Sequence, residues 1–421
     1  MLEQAVSGPV DAITGDYLAE FNLSANTLNF KSGRHSGWER TCEDGLMQTL
    51  EAANEKRIKI VVNGGALNPK GLAELVQNKV TEKGYNLKIS YVSGDDIHPR
   101  LKDLFPDNRF THLDKRVEKV KVDPMTQQFE MHMADGTKPI ISAHAYLGAR
   151  GIVAALRAEA DIVICGRVAD ASPPIGLAAW WHGWAETDFD ELAGALVAGH
   201  LIECACYSTG GNFCGFTKHT TAELVPLGYP IAEIASDGTC VITKHENLKG
   251  YVNVDTVRSQ FLYELQGAIY LNSDVKADTT NIFMEQVGEN RVRVSGVKGH
   301  PPPSTTKLAI FYQAAFQMEA YFGATGTPYE VERKFELHEA QVKWALKRRG
   351  QLDKLDILEF QQFGVPEINP KSQTRGTSLL RMIAQAESEA AIVHLQQANT
   401  EMSMQHYHGK HSRFVFTISH D

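Results

Sequence analysis

The sequence predicts an α/β fold: an open, mostly parallel sheet in an N-terminal domain, followed by a smaller α+β C-terminal domain. Two observations predict it. A cycle of short β-branched strand, glycine turn and helix restarts repeatedly before residue 170, and strands separated by helices pair in parallel. Beyond about residue 222 the texture changes to short alternating strands and turns. The expected division is therefore residues 1–222 as the α/β domain, with ligand-binding loops at its strand ends, and 223–421 as the α+β domain.

In order along the chain, residues 57–63 (RIKIVVN) read as a strand ending in Gly64 and Gly65. Pro69 then opens a helix whose Leu72, Leu75 and Val76 face inward. The cycle restarts at 87–92 (LKISYV) and again at 161–165 (DIVIC), the latter followed by Gly166 and Arg167. Between them, 117–122 and 128–133 alternate around Asp123 and Pro124 as a hairpin at the sheet edge would. Residues 177–201 read as helices and lead into a glycine-rich loop at 203–216. Strands follow at 238–243, 280–287 and 291–297, then helices at 307–321 and 330–348, and finally a strand at 376–383 before a helix at 384–397.

Composition narrows the function. With 42 basic against 51 acidic residues the net charge is −9, so no global basic field exists to hold nucleic acid. The longest apolar runs fall well short of the roughly 20 residues that cross a bilayer, so no membrane span is expected. The first residues carry acids early and lack a basic n-region and apolar core, which predicts a cytoplasmic chain. Six cysteines in 421 residues, mostly within apolar segments, read as reduced thiols.

No P-loop, dinucleotide fingerprint, HExxH, CxxC or nucleophile elbow occurs. What remains is a set of loops at strand ends, where open α/β sheets bind ligands. In NGGALNP (63–69), Gly64 and Gly65 admit close backbone approach while Asn63 and Asn68 offer amides to a carboxylate, phosphate or carbonyl. The same residues would equally build a tight turn with an Asn-capped helix. In GRVADASPPIG (166–176), Arg167 offers a fork for an anion, Asp170 a base and Ser172 a hydroxyl. Here the structural alternative is an Arg167–Asp170 ion pair with Ser172 as N-cap. In GHLIECACYSTGGNFCG (199–215), His200 and Glu203 share a helix face as an acid–base pair, and Thr209, Gly210, Gly211 and Asn212 would cradle an oxyanion. The cysteine spacing there matches no zinc knuckle, and no metal is expected. His406, His408 and His411 read as a surface loop, and Asp95 with Asp96 as capping. A doubly wound sheet gathers such loops on one edge, so those around Asn63 and Thr209 are expected to meet.

Six stretches carry a resemblance: GDYLAE (15–20), NGGALNP, CGRVADAS (165–172), GHLIECACYSTGGNF (199–213), LGYPIAEIASDGTCVITK (227–244) and RVRVSGVKGHPPP (291–303). In this order they resemble the acyclic terpene utilisation family, AtuA type, from about residue 15 to the C-terminus. The resemblance implies an intracellular α/β protein, associated in some members with catabolism of branched terpenoid acids through acyl-CoA intermediates. By that resemblance, members usually begin with a further strand and glycine-rich loop where this chain has residues 1–14, and the segment 404–421 starts like the family's C-terminal histidine and glycine segment but without the expected basic, proline-containing tail.

Two functions fit. The first is a lyase or hydratase acting on a small carboxylic acid or acyl-CoA thioester, with Arg167 and the glycine loops holding the anion and His200, Glu203 or Asp170 moving a proton. The second is a non-catalytic acyl-CoA-binding or accessory subunit. Coenzyme A enters only as part of the substrate, the expected partner is a small anionic molecule, and a homo-oligomer is expected. Nucleophilic chemistry through Ser172 or a cysteine lacks the spacing of a triad.

Overall fold

The computed structural model describes residues 1–106, 136, 138–265 and 267–413, so the expected hairpin at 117–133 lies outside the described residues. The chain forms two compact units, one of Ile140–Phe311 with the chain before residue 107, the other from Tyr312 onward. Residues 223–311, which the sequence assigns to the C-terminal domain, belong to the first unit.

The first unit is built on a four-stranded sheet in the order β1 (Ala12–Gly15), β2 (Lys59–Val62), β5 (Ile162–Cys165), β3 (Ile89–Val92), every pair parallel. A strand covered on both faces has no polar side, which is why β2 and β5 are runs of Ile and Val. Alternate residues serve opposite layers. Ile60, Val62, Ile162 and Ile164 pack with Leu46, Leu50, Leu72 and Val76 of the helices Arg40–Lys56 and Pro69–Lys83. Val61, Val163 and Cys165 face Ile152 and Leu156 of Arg150–Arg157 and Leu177 of Ser172–His182.

The helix Phe189–Glu203 is buried along nearly its whole length, from Leu192 to Leu201. Its Leu196 and Val197 join Cys240 and Ile242 of β7 (Cys240–Lys244), Ala277 of β9 (Lys276–Asp278), and Val292 and Val294 of β11 (Arg291–Ser295) in the largest core cluster. With β6 (Pro230–Ile234), β8 (Ile269–Leu271), β10 (Phe283–Gly288) and β12 (Lys298–His300), those strands form antiparallel sheets of order β10-β11-β7-β6 and β12-β9-β8. Gly194 is required here, because a Cβ would come within 2.0 Å of the Gly238 carbonyl. Truncating Leu196 to Ala would cost about 2–5 kcal/mol.

Downstream, two expectations are corrected. Residues 307–321, expected as helix, form β13 (Leu308–Tyr312), which pairs with β4 (Ile140–Ala145), and the start of β14 (Phe316–Thr325). Their Ala, Gln and Met content favours helix, but the burial of Met318, Ala320, Phe322 and Ala324 alternates with the two-residue period of a strand, and tertiary packing overrides propensity. Likewise Ala384 and Ala386 finish β16 (Thr377–Ala386), and the helix begins only at Glu389, after the Ser388 cap. In the second unit the antiparallel order is β15-β16-β14-β17, with β15 at Ile357–Phe363 and β17 at His411–Arg413. The helices Pro328–Arg348 and Glu389–Glu401 bury Phe335, Leu346, Ile392 and Leu395 in the core that Phe322 and Met382 share.

Candidate active site

Four parallel strands end on the same edge of the sheet, and each delivers a polar residue there. Asp16 follows β1, Asn63 follows β2, Asp95 follows β3, and Gly166–Arg167 follows β5. The Asn63 amide joins two of these ends: its Nδ2 donates to Asp16, while its Oδ1 accepts from the Tyr17 N–H at 2.6 Å. Asp95 holds a third, since its Oδ2 accepts the Arg167 N–H at 2.9 Å and lies 2.9 Å from His144 Nδ1. A Cβ at Gly166 would come within 2.3 Å of Asp95, so the carboxylate reaches the turn only because residue 166 is glycine.

Arg167 is 1% exposed, and such a charge must be met by partners. Its guanidinium donates to Asp170 and to the Leu18 carbonyl, lies 3.9 Å from Asp16, and stacks 4.0 Å from the centroid of Tyr146. The Tyr146 hydroxyl donates to Glu20, which also accepts from Lys307 Nζ at 3.0 Å. Burial alone would raise the Glu20 carboxyl, but Tyr146 and Lys307 hold it at about 2. For Asp16 the balance runs the other way: burial, aided by repulsion from Asp170, pushes it up to about 6 against the opposing pull of Arg167 and Asn63.

At the end of the helix Phe189–Glu203, His200 Nε2 lies 3.0 Å from the Phe261 carbonyl and Nδ1 lies 3.1 Å from Glu203 Oε1. A carbonyl can only accept, so Nε2 carries a proton. The 3.1 Å contact lets Nδ1 and Glu203 share one further proton when it is bound. Burial would lower His200, but the hydrogen bond and charge of Glu203 raise it; burial raises Glu203 to about 7 despite His200, with Asp170 and Asp16 adding to the rise. The Glu203 side chain is 4% exposed, and its Oε2 has no hydrogen-bond partner among the described residues.

Asp16, Asp170 and Glu203 line one cavity of about 510 Å³. Its remaining walls include the apolar side chains of Pro173, Pro174, Leu177, Trp181, Ile202 and Tyr229. Asp11 and Glu233 also line it, and five carboxyls on a largely apolar cavity, with Asp16 and Glu203 raised toward neutrality, form an arrangement suited to moving protons.

The expected residues divide accordingly. Asn63, Arg167 and Asp170 belong to the network at this edge, His200 and Glu203 pair with each other at the end of the helix Phe189–Glu203, and Asp170 and Glu203 meet on the cavity wall. Gly64 and Gly65 are packing positions, with Cys42 Sγ and the Cys165 carbonyl where their Cβ atoms would stand. Asn68 caps its helix by accepting the Gly71 N–H at 3.0 Å. Ser172 is not the N-cap, which is Ala171; its hydroxyl donates to Asp274 at 3.1 Å. The Thr209 hydroxyl donates to the Gly228 carbonyl at 2.6 Å and its carbonyl accepts from the Tyr251 N–H. Gly210 packs near Tyr251, Gly211 against Cys206, and Asn212 takes a φ of 51°. Residues 209–212 are thus held against the segment around Tyr251, and none of them lines the cavity. Sequence reasoning missed Asp16, Glu20, Tyr146 and Lys307. The signal for Asp16 was present in GDYLAE, a glycine followed by an acid at the end of a short strand.

Among the described residues no three His, Cys, Asp or Glu side chains group as a metal site, and no single helix is long and apolar enough to cross a membrane. The family model described as acyclic terpene utilisation family protein AtuA matches residues 1–419. Neither the curated proteins nor the solved structures contain a match.

Proposed function

The chain belongs to the acyclic terpene utilisation family of AtuA type, a membership that implies a role in acyclic terpene utilisation, and from that premise we propose a lyase or hydratase acting on a branched acyl thioester. The observation that carries this reading is Glu203: a carboxyl raised to about 7, with one oxygen on His200 and the other unpartnered, on the wall of a cavity. Between about pH 6 and 7, Glu203 holds a proton while Asp16 has lost one, which supplies an acid and a base to one space.

Hydration of an unsaturated acyl group needs both. Asp16 takes a proton from water as the water oxygen bonds to C3, and Glu203 gives its proton to C2; elimination runs the same steps backwards. The apolar wall of Pro173, Pro174, Leu177 and Trp181 suits a branched hydrocarbon chain. A thioester fits better than a free carboxylate, because the cavity is lined by five carboxyls, its Lys59 is paired with Asp161, and the nearby guanidinium of Arg167 is engaged by Asp170 and Leu18.

Purified protein incubated with a panel of branched enoyl-CoA and 3-hydroxyacyl-CoA esters is expected to interconvert at least one pair, followed by absorbance of the conjugated thioester. Glu203→Gln should lower that turnover by about 100-fold or more. No conversion across the panel, or an unaffected variant, would contradict the reading.

A further inference from the structure

The segment 31–40 (KSGRHSGWER) is a glycine- and serine-rich basic loop in a chain of net charge −9. Its backbone is preformed: the N–H groups of Ser32, Gly33 and Arg34 donate to Leu28, Phe30 and Asn29, and Gly33 and Gly37 take φ of 68° and 92°, where glycine is at ease. Beside it lies a groove of about 380 Å³ lined by Asn22, Asn29, Arg34, His35, Glu39 and Arg40, among others.

The groove carries two guanidinium groups against the single carboxylate of Glu39, a net positive charge. Of the first unit's other described arginines, Arg57, Arg150, Arg167, Arg291 and Arg293 each pair with a carboxylate, while Arg100, Arg157 and Arg258 form no ion pair among the described residues and line no comparable groove with a second arginine. Arg34 and Arg40 form no ion pair among the described residues. Glu39 is already committed, accepting from Thr41 through Oε1 and from Asn26 through Oε2, and Glu43 accepts the Trp38 indole N–H. His35 Nδ1 accepts the Gly37 N–H at 3.2 Å, so the ring proton sits on Nε2 as a further donor. Two unpaired guanidinium forks, an imidazole N–H and side-chain amides around one groove are the donors that recognise phosphate oxygens.

The loop is also tied to the turn that serves the cavity. Glu39 N–H donates to the Gly64 carbonyl at 2.8 Å, Leu67 N–H to Gly37 at 2.9 Å, and Asn68 Nδ2 to Ser36 at 3.0 Å. Asn63, at the other end of the same turn, holds Asp16. We propose that the groove of Arg34, His35 and Arg40 is a binding site for a phosphate ester, namely the nucleotide end of the acyl thioester whose acyl end occupies the cavity. The identity of the ligand rests on the proposed function; the phosphate chemistry of the groove does not.

The test is titration calorimetry of the full chain with coenzyme A, adenosine 3′,5′-bisphosphate and inorganic phosphate, comparing the parent with Arg34→Gln/Arg40→Gln. Coenzyme A and the bisphosphate should bind the parent, and the double variant should bind each at least tenfold more weakly with an unchanged circular dichroism spectrum. Inorganic phosphate binding as tightly as the bisphosphate would replace the nucleotide with a free anion and overturn the assignment. Equal affinity in parent and variant, or no binding by the parent, would overturn the site itself. Bisphosphate binding that depends on Arg34 and Arg40 in a chain that turns over no thioester would retain the groove and remove the proposed function; turnover whose KM for the CoA ester is unmoved by the double variant would do the reverse.

Discussion

His200 in the first unit and His338 in the second are both buried, and their protons behave oppositely. Burial drives His338 down to about 3, with Lys410 and His406 pushing the same way. Its ring lies among Phe322 and Phe360, and neither nitrogen has a partner among the described residues. Burial pulls His200 the same way, but Glu203 on Nδ1 reverses the outcome. Burial alone therefore makes a histidine inert; burial with a paired carboxyl makes a proton reservoir. The same contrast separates the strand-end network of the first unit, where every charge depends on another, from the apolar core of the second.

That dependence is broken most severely at Arg167. Arg167→Gln leaves Asp16 and Asp170 without their shared cation, and removing one partner of a buried pair costs about 3–5 kcal/mol. Thermal unfolding should fall by many degrees, alongside any loss of binding. An unchanged melting temperature would mean that Arg167 is held for a ligand and contributes little to the fold.

The two histidines sharpen the comparison. His200→Leu strips a partner from Glu203 and from the Phe261 carbonyl and should destabilise by about 1–3 kcal/mol, whereas His338→Leu removes a polar group with nothing to bond and should be neutral or stabilising. Equal losses in the two variants would place an unrecognised partner on His338.

The smallest effects lie in pH. His338, depressed from 6.5 to about 3, contributes stability that is present above about 6.5 and lost as pH falls toward 3. Asp16, raised from 3.8 to about 6, contributes stability that is present below about 3.8 and lost as pH rises through 6. Relative to the parent, His338→Leu should therefore gain in melting temperature progressively as pH falls from about 6.5 toward 3, and Asp16→Asn should gain as pH rises from about 4 to 6. Parallel pH profiles for the two variants would contradict these assignments.

Much of this edge was legible because strand ends are chemically conspicuous: an apolar run closing on Gly166–Arg167, or a helix closing on His200 and Glu203, marks itself. β1 did not, since AITG is four residues long with only Ile13 buried, and Asp16 went with it. Tyr146 and Lys307 meet only through the pairing of β4 with β13, and Lys307 stood in a segment whose Ala and Gln content points to helix. The Thr209–Asn212 glycines resembled an anion cradle because tight packing and ligand approach select the same residues. Nothing local distinguishes the two; Tyr251 and Gly228, which hold that loop, lie well downstream in the chain.

The central claim is that a proton resides on the Glu203–His200 pair near neutral pH. Difference infrared spectroscopy of the carboxyl stretch, with Glu203→Gln as the reference, reads it directly. A protonated-carboxyl band should be present at about pH 6, disappear through about 7 and be missing from the variant. A Glu203 carboxyl that titrates near its ordinary value of 4.5 would contradict the account.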